Sequence, residues 1–323
     1  MNRGVEIRAL TKNFVLTRWS GFRRSVSEIV AVDGINLDVP AGQSVALIGP
    51  NGAGKSTTIK MLTGILHPTS GEASVLGFIP WRDRRKLAYS VGAVFGQRSQ
   101  LWYHLPPGDT FELLARIYNL RRPDFIQTRD LLIDRFNLGP FMQTPVRKLS
   151  LGQRMRAEVV ASLLHRPKIL FLDEPTIGLD VIARQELRDL IREWNQNDGT
   201  TVFLTSHDAG DIEHVAERVI VVNHGHVVVD GAVDAVRRKY LGSKILRVQF
   251  HGTPARIAMA GVTSLSHSEY EWKMQVDTTI TPVGQVTAAV LDAGSVADIA
   301  IEDPPLEEVI ARIYSGDRRE ESS

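Results

Sequence analysis

A short apolar run that leads directly into a glycine-rich turn limits most strongly what this chain can fold into. Residues 44–48, Ser-Val-Ala-Leu-Ile, have the composition of a buried strand, and residues 49–57 read Gly-Pro-Asn-Gly-Ala-Gly-Lys-Ser-Thr. The glycines let the backbone curl so that successive N–H groups point inward. From Gly54 to about Thr63 the pattern is helical, and a helix N-terminus attracts anions. The strand, turn and helix together predict a phosphate-binding P-loop.

Two side chains of this loop are suited to nucleotide chemistry. Lys55 is expected to reach the β and γ phosphates, and Ser56 to give its hydroxyl to Mg²⁺. The other predicted nucleotide contacts are Pro50, Asn51, Gly52, Ala53, Gly54 and Thr57.

A second apolar strand ends in two carboxylates. Residues 169–172, Ile-Leu-Phe-Leu, are followed by Asp173 and Glu174. Ligands of open α/β sheets bind at the carboxyl ends of the strands, which is where this pair is predicted to lie. We expect Asp173 to hold Mg²⁺, through water, and Glu174 to orient and deprotonate an attacking water. Such a strand is common by itself, but beside a P-loop it indicates phosphate hydrolysis.

The order of the elements predicts two domains. Strand patterns at 5–10, 35–39, 169–172, 201–205 and 218–222 are separated by helical patterns at 181–197 and 208–217. This alternation is typical of a doubly wound parallel sheet. A helical stretch at 109–136 and a helix starting near 151 form an insert at about 98–158.

The pattern changes near residue 243. Strands at 245–250, 272–276 and 296–301 and helices at 282–293 and 305–314 predict a small α+β domain over 243–316. The ATPase-like part would then span 1–242, and residues 317–323 form a polar tail.

Composition excludes several classes of protein. The 323 residues include no cysteine, which rules out disulfides and zinc–thiolate sites. A formal net charge of +1 gives no reason to expect a nucleic-acid partner. No apolar run approaches the ~20 residues that cross a bilayer, so any role at a membrane is expected at its surface.

The chain resembles the ABC ATPase family over residues 5 to about 235, because further motifs follow the P-loop in the family's order. Gln97, in Val-Phe-Gly-Gln (94–97), stands where the family has a Q-loop glutamine that contacts Mg²⁺ or the attacking water. Gln100 is a nearby alternative, although the spacing favours Gln97. His207, just after the strand at 201–205, resembles the switch histidine that contacts the γ-phosphate.

Two motifs resemble those that the family uses across a dimer. Residues 149–153, Leu-Ser-Leu-Gly-Gln, resemble the signature motif Leu-Ser-Gly-Gly-Gln, with Leu151 in place of the first glycine. The resemblance implies that Ser150, Gly152 and Gln153 contact the ATP held by a second ATPase subunit. Asp180, in Gly-Leu-Asp (178–180), matches the D-loop that links the two sites.

Phe14 matches the aromatic residue that stacks on adenine in this family. An insert at 15–30 follows it, so Trp19 or Phe22 could take the same role. We expect the insert to be a solvated loop, and its basic and aromatic residues leave contact with a membrane or a permease as the alternative.

The insert, the run 96–102 and the signature sequence resemble ATPases that pair with ABC-2 type permeases, most of them exporters. The resemblance implies an α/β P-loop core of RecA type with an antiparallel β edge and the helical insert. It also implies ATP and Mg²⁺ as cofactors, a separate membrane-spanning permease, and a peripheral location on the cytoplasmic face of the membrane. Leu101, Trp102, Tyr103 and Leu105 are expected to line an exposed cleft for the permease, unless Trp102 packs into the helical insert.

The sequence favours two other classes of protein less strongly. An ABC ATPase acting on ribosomes or DNA usually has two cassettes, coiled-coil arms or zinc cysteines, which this sequence lacks. A cassette that binds ATP without hydrolysing it usually loses its general base or switch histidine, and both Glu174 and His207 are present.

Overall fold

The computed structural model describes residues 3–20, 23–96, 99–240, 243–253, 255, 257–268 and 270–303. The strands are β1 (Arg3–Ser20), β2 (Arg23–Pro40), β3 (Ser44–Ile48), β4 (Ser70–Val75), β5 (Val91–Phe95), β6 (Ile169–Asp173), β7 (Thr201–Ser206), β8 (Arg218–Asn223), β9 (His226–Ala232), β10 (Ser243–Phe250), β11 (Val262–His267), β12 (Glu271–Asp277) and β13 (Val296–Glu302). The helices are α1 (Lys55–Leu62), α2 (Arg84–Leu87), α3 (Pro107–Ile117), α4 (Arg122–Arg135), α5 (Leu151–Leu163), α6 (Val181–Asp198), α7 (Ala209–Val215), α8 (Val233–Tyr240) and α9 (Val283–Ala293).

The chain divides into two compact units, Met1–Val233 and Asp234–Ser323. The predicted division between residues 242 and 243, with a helical subdomain at about 98–158, stays a prediction.

A six-stranded sheet forms the centre of the first unit, in the order β5-β6-β7-β3-β8-β9. The pairs from β5 to β8 are parallel, and β9 is an antiparallel strand at the edge. Every residue of β3, β6 and β7 is buried. A strand covered on both faces shows an uninterrupted apolar run, which is why the sequence revealed these three strands. The predicted parallel α/β core with an antiparallel edge is confirmed.

The segment over 15–30 corrects one expectation. Its described residues, 15–20 and 23–30, form the paired strands of a β-hairpin instead of a loop, because β1 and β2 pair antiparallel there, with Val15 opposite Glu28 and Thr17 opposite Val26. β1 also pairs with β4, giving a three-stranded sheet in the order β2-β1-β4. The loop prediction overlooked the continuous strand pairing.

The helical stretch predicted at 109–136 is two helices, α3 and α4. Asn119 has a backbone φ of 51°, a left-handed conformation that ends a helix, and Pro123 lies in the first turn of α4. Both helices contribute to a core that also includes α5, through Phe111 in α3 and Phe125 in α4.

The second unit contains a four-stranded antiparallel sheet in the order β11-β12-β10-β13. Its core combines residues of β10 and β12 with Val286 and Val290 of α9. Strand β11 was not predicted, and its residues are mostly exposed. The helix predicted at 305–314 and the tail at 317–323 lie outside the described residues.

Candidate active site

The glycine-rich turn lies between β3 and α1, at the carboxyl end of the central sheet. Gly54 has a φ of 101°, and a Cβ atom there would lie 2.3 Å from the carbonyl oxygen of Ala31. A Cβ on Gly49 would lie 2.3 Å from the carbonyl oxygen of Val222. Glycine is therefore required at both positions, because any side chain would collide with backbone. The predicted phosphate-binding turn has the strand before it and the helix after it that such a loop needs.

Lys55, the first residue of α1, is folded back over this turn. Its Nζ donates to the carbonyl oxygens of Gly49 at 2.7 Å and Pro50 at 3.2 Å. Only 6% of its side chain is exposed, and burial lowers its pKa, whereas Glu174 and Asp173 raise it. The ammonium group therefore lies beside two carboxylates at the mouth of the loop, where it can exchange its carbonyl contacts for phosphate oxygens.

Asp173 ends β6 and contacts Ser56 across the sheet edge. Its Oδ1 accepts a hydrogen bond from Ser56 Oγ at 2.8 Å and another from Thr205 Oγ1 at 2.7 Å. A serine hydroxyl beside a carboxylate is an all-oxygen donor pair of the kind that Mg²⁺ prefers. Ser56 and Asp173, two of the three residues that the sequence assigned to Mg²⁺, are thus adjacent, and their chemistry fits that ion. Thr205 was not predicted from the sequence, where it is one more buried strand residue.

Glu174 lies between Lys55 and His207 and is close to both. Its backbone has a φ of 55°, which is unusual for a residue other than glycine and often occurs at functional sites. Its amide donates to the carbonyl oxygen of Thr205 at 3.1 Å, its Oε1 lies 4.0 Å from Lys55 Nζ, and its Oε2 lies 2.5 Å from His207 Nδ1. The imidazole is largely exposed, at 58%, whereas the glutamate side chain is only 19% exposed. The predicted general base and switch histidine are therefore in direct contact.

The signature residues begin helix α5 and form a capping box. Gln153 N donates to Ser150 Oγ at 3.2 Å, and Ser150 N donates to Gln153 Oε1 at 3.0 Å. A Cβ on Gly152 would lie 2.9 Å from the Cβ of Ala183, so only glycine allows α5 to approach α6 this closely. The exposed Ser150 at the N-terminus of α5 suits an anion.

Leu151, which departs from the family's signature sequence, lies against the D-loop. Its Cδ2 lies where a side chain at Gly178 would begin, 2.9 Å from an ideal Cβ on that glycine. The signature helix therefore packs directly on the D-loop. Asp180, which ends that loop, caps α6 by accepting a hydrogen bond from Ala183 N at 2.8 Å.

Gln97 lies outside the described residues. Gly96, just before it, donates its N–H to the carbonyl oxygen of Asp173 at 2.9 Å. The alternative, Gln100, is bound to α5, since its Nε2 donates to the carbonyl oxygen of Glu158 at 2.9 Å and its N to Glu158 Oε2 at 3.1 Å.

Phe14 lies partly buried in β1, opposite Ile29. The Nζ of Lys12 lies 5.2 Å from the centre of its ring and also donates to the carbonyl oxygen of His67 at 2.8 Å. Phe22 lies outside the described residues, and for Trp19 the structure describes only the backbone.

The cleft predicted for a permease is only partly as expected. Trp102 and Tyr103 are exposed, at 42% and 56%, as a surface for a permease requires. Leu101 is 4% exposed and belongs to the core, which corrects its assignment to an exposed surface.

A P-loop at the end of a parallel sheet, with an Asp-Glu pair two strands away, defines a P-loop nucleotide hydrolase. Residues 32–177 match the family model described as ABC transporter. A daunorubicin resistance ATP-binding protein of Streptomyces coeruleorubidus is 32% identical over 305 residues, covering 93% of this chain and 96% of that protein. A lantibiotic transport ATP-binding protein of Streptococcus pyogenes is 32% identical over 231 residues, covering 71% of this chain and 93% of that protein.

A solved dimeric ATP-binding cassette, in a post-hydrolysis state with ADP and Pi, aligns with a TM-score of 0.61 at 26% identity. It covers 71% of this chain and 98% of the solved chain. The chain belongs to the ABC transporter family, as one of its ATP-binding subunits. It is an ATPase that serves a membrane transporter. Within the part of the chain that the structure describes, no helix is long and apolar enough to span a membrane.

Proposed function

We propose that this subunit hydrolyses Mg-ATP between two copies, or one copy and a related chain, and so drives a separate ABC-2 type permease, in an exporter. The contact of Glu174 with His207, beside Lys55 and the Ser56–Asp173 pair, carries the proposal. Drug-resistance and lantibiotic-transport proteins among the relatives support transport out of the cell. The subunit would act at the cytoplasmic face of the membrane, where its permease holds it.

The residues divide the work of hydrolysis between binding and proton transfer. The N–H groups of residues 51–57 and the Lys55 ammonium bind the β and γ phosphates. Ser56 and Asp173, with Gln97, would hold Mg²⁺, which would neutralise phosphate charge. Phe14 stacks on adenine.

Glu174 accepts a proton from water as the water oxygen bonds to the γ-phosphorus and the bond to the β–γ bridging oxygen breaks. ADP and phosphate leave. With its proton on Nδ1, His207 donates to Oε2 of Glu174 and fixes the carboxylate in place.

The second subunit would complete each site. Ser150, Gly152 and Gln153 would contact the γ-phosphate bound by the partner subunit, and Asp180 would face the partner across the interface. The exposed N-terminus of α5 and the existence of a dimeric cassette among the similar structures support this arrangement. Trp102 and Tyr103 are exposed apolar side chains suited to the permease contact.

The test is Glu174→Gln, which keeps the shape of the side chain and removes its basicity. We expect ATP binding to persist and hydrolysis to slow at least ~10²-fold, the usual scale for loss of a general base. ATP should also hold two subunits together, which light scattering detects. Glu193→Gln, the same change on the exposed face of α6, is the control and should behave like the unaltered protein. Full hydrolysis by Glu174→Gln would overturn the assigned role.

A further inference from the structure

Arg184, in the first turns of α6, bridges two segments that the site depends on. Its Nη1 donates to Asp208 Oδ2 at 2.5 Å, and its Nη2 donates to the carbonyl oxygen of Leu179 at 3.2 Å. Asp208 directly follows His207, and Leu179 directly precedes Asp180. One guanidinium group therefore joins the turn that carries the switch histidine to the D-loop.

Arg188, one helical turn further along α6, extends this network into the core. Its Nη2 donates to Asp208 Oδ1 at 2.9 Å and its Nε to Asp211 Oδ1 at 2.7 Å. Asp211 is 1% exposed and Arg188 12% exposed. A charge pair this deeply buried is tolerated only when its hydrogen bonds are satisfied. The second oxygen of Asp211 accepts from Ser206 Oγ at 2.6 Å and from the hydroxyl of Thr176.

The hydrogen-bond network of Arg184 and Arg188 includes residues next to His207 and residues between Glu174 and the D-loop. Ser206 and Asp208 flank His207, and Thr176 lies between Glu174 and the D-loop. Gly210 allows the close approach, because a Cβ there would lie 2.9 Å from Arg188 Nη2. Planar, forked guanidinium groups fix direction as well as distance, so the histidine turn and the D-loop are held in one register by α6.

We propose that Arg184 is a positioning residue that couples the D-loop to His207, so that the partner contact at the D-loop and the imidazole beside Glu174 move together. The inference rests on the proposed roles of Glu174 and His207. Arg188 anchors the same network in the core. Arg184 is the residue to test, since its side chain is 31% exposed and its loss leaves the buried Arg188–Asp211 pair in place.

The experiment uses the full chain and compares Arg184→Gln with Arg184→Lys. We expect Arg184→Gln to lower kcat for ATP about 10-fold, since small misplacements near the chemistry are costly, while the Kd for ATP changes less than about twofold. The kcat of Arg184→Lys should lie between those of Arg184→Gln and the unaltered protein, because an ammonium group reaches Asp208 without also reaching the Leu179 carbonyl. Arg192→Gln, an exposed arginine of the same helix, is the control and should leave kcat unchanged.

A double substitution separates positioning from general stabilisation. In a His207→Ala background, Arg184→Gln should lower kcat by less than about twofold further, because the group it positions is gone. An additional 10-fold loss in that background, or an unchanged kcat in the single variant, would overturn the inference. If Arg184→Gln is poorly folded by thermal denaturation, Arg184→Lys decides the question with the same comparison. Full hydrolysis by His207→Ala and Glu174→Gln would instead refute the proposed site, which distinguishes the two failures.

Discussion

His165, in the turn after α5, is a partly buried titratable residue. Its ring stacks on Tyr118 with 4.1 Å between centroids and 1° between planes. Its Nε2 lies 3.0 Å from the carbonyl oxygen of Val91, so that nitrogen carries the proton of the neutral ring. Burial lowers the pKa of His165 to about 4, and the hydrogen bond to Val91 opposes this shift.

This pKa predicts a pH dependence of stability. Because the pKa falls from 6.5 unfolded to about 4 folded, the unfolded chain binds the proton more readily. The stability is complete above pH 6.5 and declines as pH falls toward 4, by up to about 3 kcal/mol. His165→Phe keeps the ring stack but cannot take up the proton. Its free energy of unfolding should therefore decline less between pH 7.5 and pH 4, as measured by denaturant unfolding.

The control for that experiment is His104→Phe, which alters an exposed histidine of the same unit. It should keep the full decline of the unaltered protein. Equal pH slopes for His165→Phe and the unaltered protein would show that the buried ring does not titrate as expected.

At the level of single residues, the sequence predicted side chains that belong to local motifs. Lys55, Ser56, Asp173 and Glu174 follow recognisable strands, so their positions could be inferred without the fold. Thr205 and Arg184 could not be found in this way. Their roles depend on hydrogen bonds to residues 32 and 24 positions away, to Asp173 and Asp208, and no local pattern encodes those contacts.

At the level of elements, the outer part of the β1–β2 hairpin is the clearest departure from expectation. Val15, Val26 and Ile29 are 65%, 57% and 48% exposed, so strand pairing here is not accompanied by burial. Sequence patterns detect strands mainly through the alternation or the uninterrupted apolar run that burial imposes. An exposed two-stranded ribbon lacks that signal, whereas the buried strands β6 and β7 show it strongly.

Shortening the hairpin tests whether the core depends on it. Phe14 and Ile29 face each other in register, so residues 15–28 can be replaced by Asn-Gly, a sequence suited to a two-residue turn. We expect the free energy of unfolding to change by less than about 1 kcal/mol, because an isolated hairpin adds little stability in water. Denaturant unfolding and ATP titration measure this.

Val15→Ser/Val26→Ser is the companion variant for the hairpin, since it removes apolar surface and keeps the strands. It should match the unaltered protein in ATP affinity. A shortened protein that no longer folds would show that the outer hairpin contributes to the core.

At the level of the whole molecule, the residues assigned to nucleotide binding all fall in the first unit. Lys55, Asp173 and Glu174 lie in Met1–Val233, and the second unit has a core of its own around Leu246, Val276 and Val290. The sequence predicts a second domain from residue 243, because the repeating strand–helix pattern stops before the second group of strands begins. The two compact units divide between Val233 and Asp234, at the start of α8, where the sequence pattern shows no change.

Removing residues 243–323, which leaves only residues 234–242 of the second unit, tests whether ATP binding needs the rest of that unit. The truncated protein should bind ATP with a Kd within about twofold of the full chain, because the P-loop and both carboxylates keep their neighbours. Introducing Lys55→Met into the truncated protein supplies the control, and it should abolish binding measured by a fluorescent ATP analogue. If truncation instead weakens ATP binding 10-fold or more while the remaining part stays folded, the second unit contributes to the site. An unchanged Kd together with altered dimerisation or permease-coupled hydrolysis would assign the second unit a role in coupling.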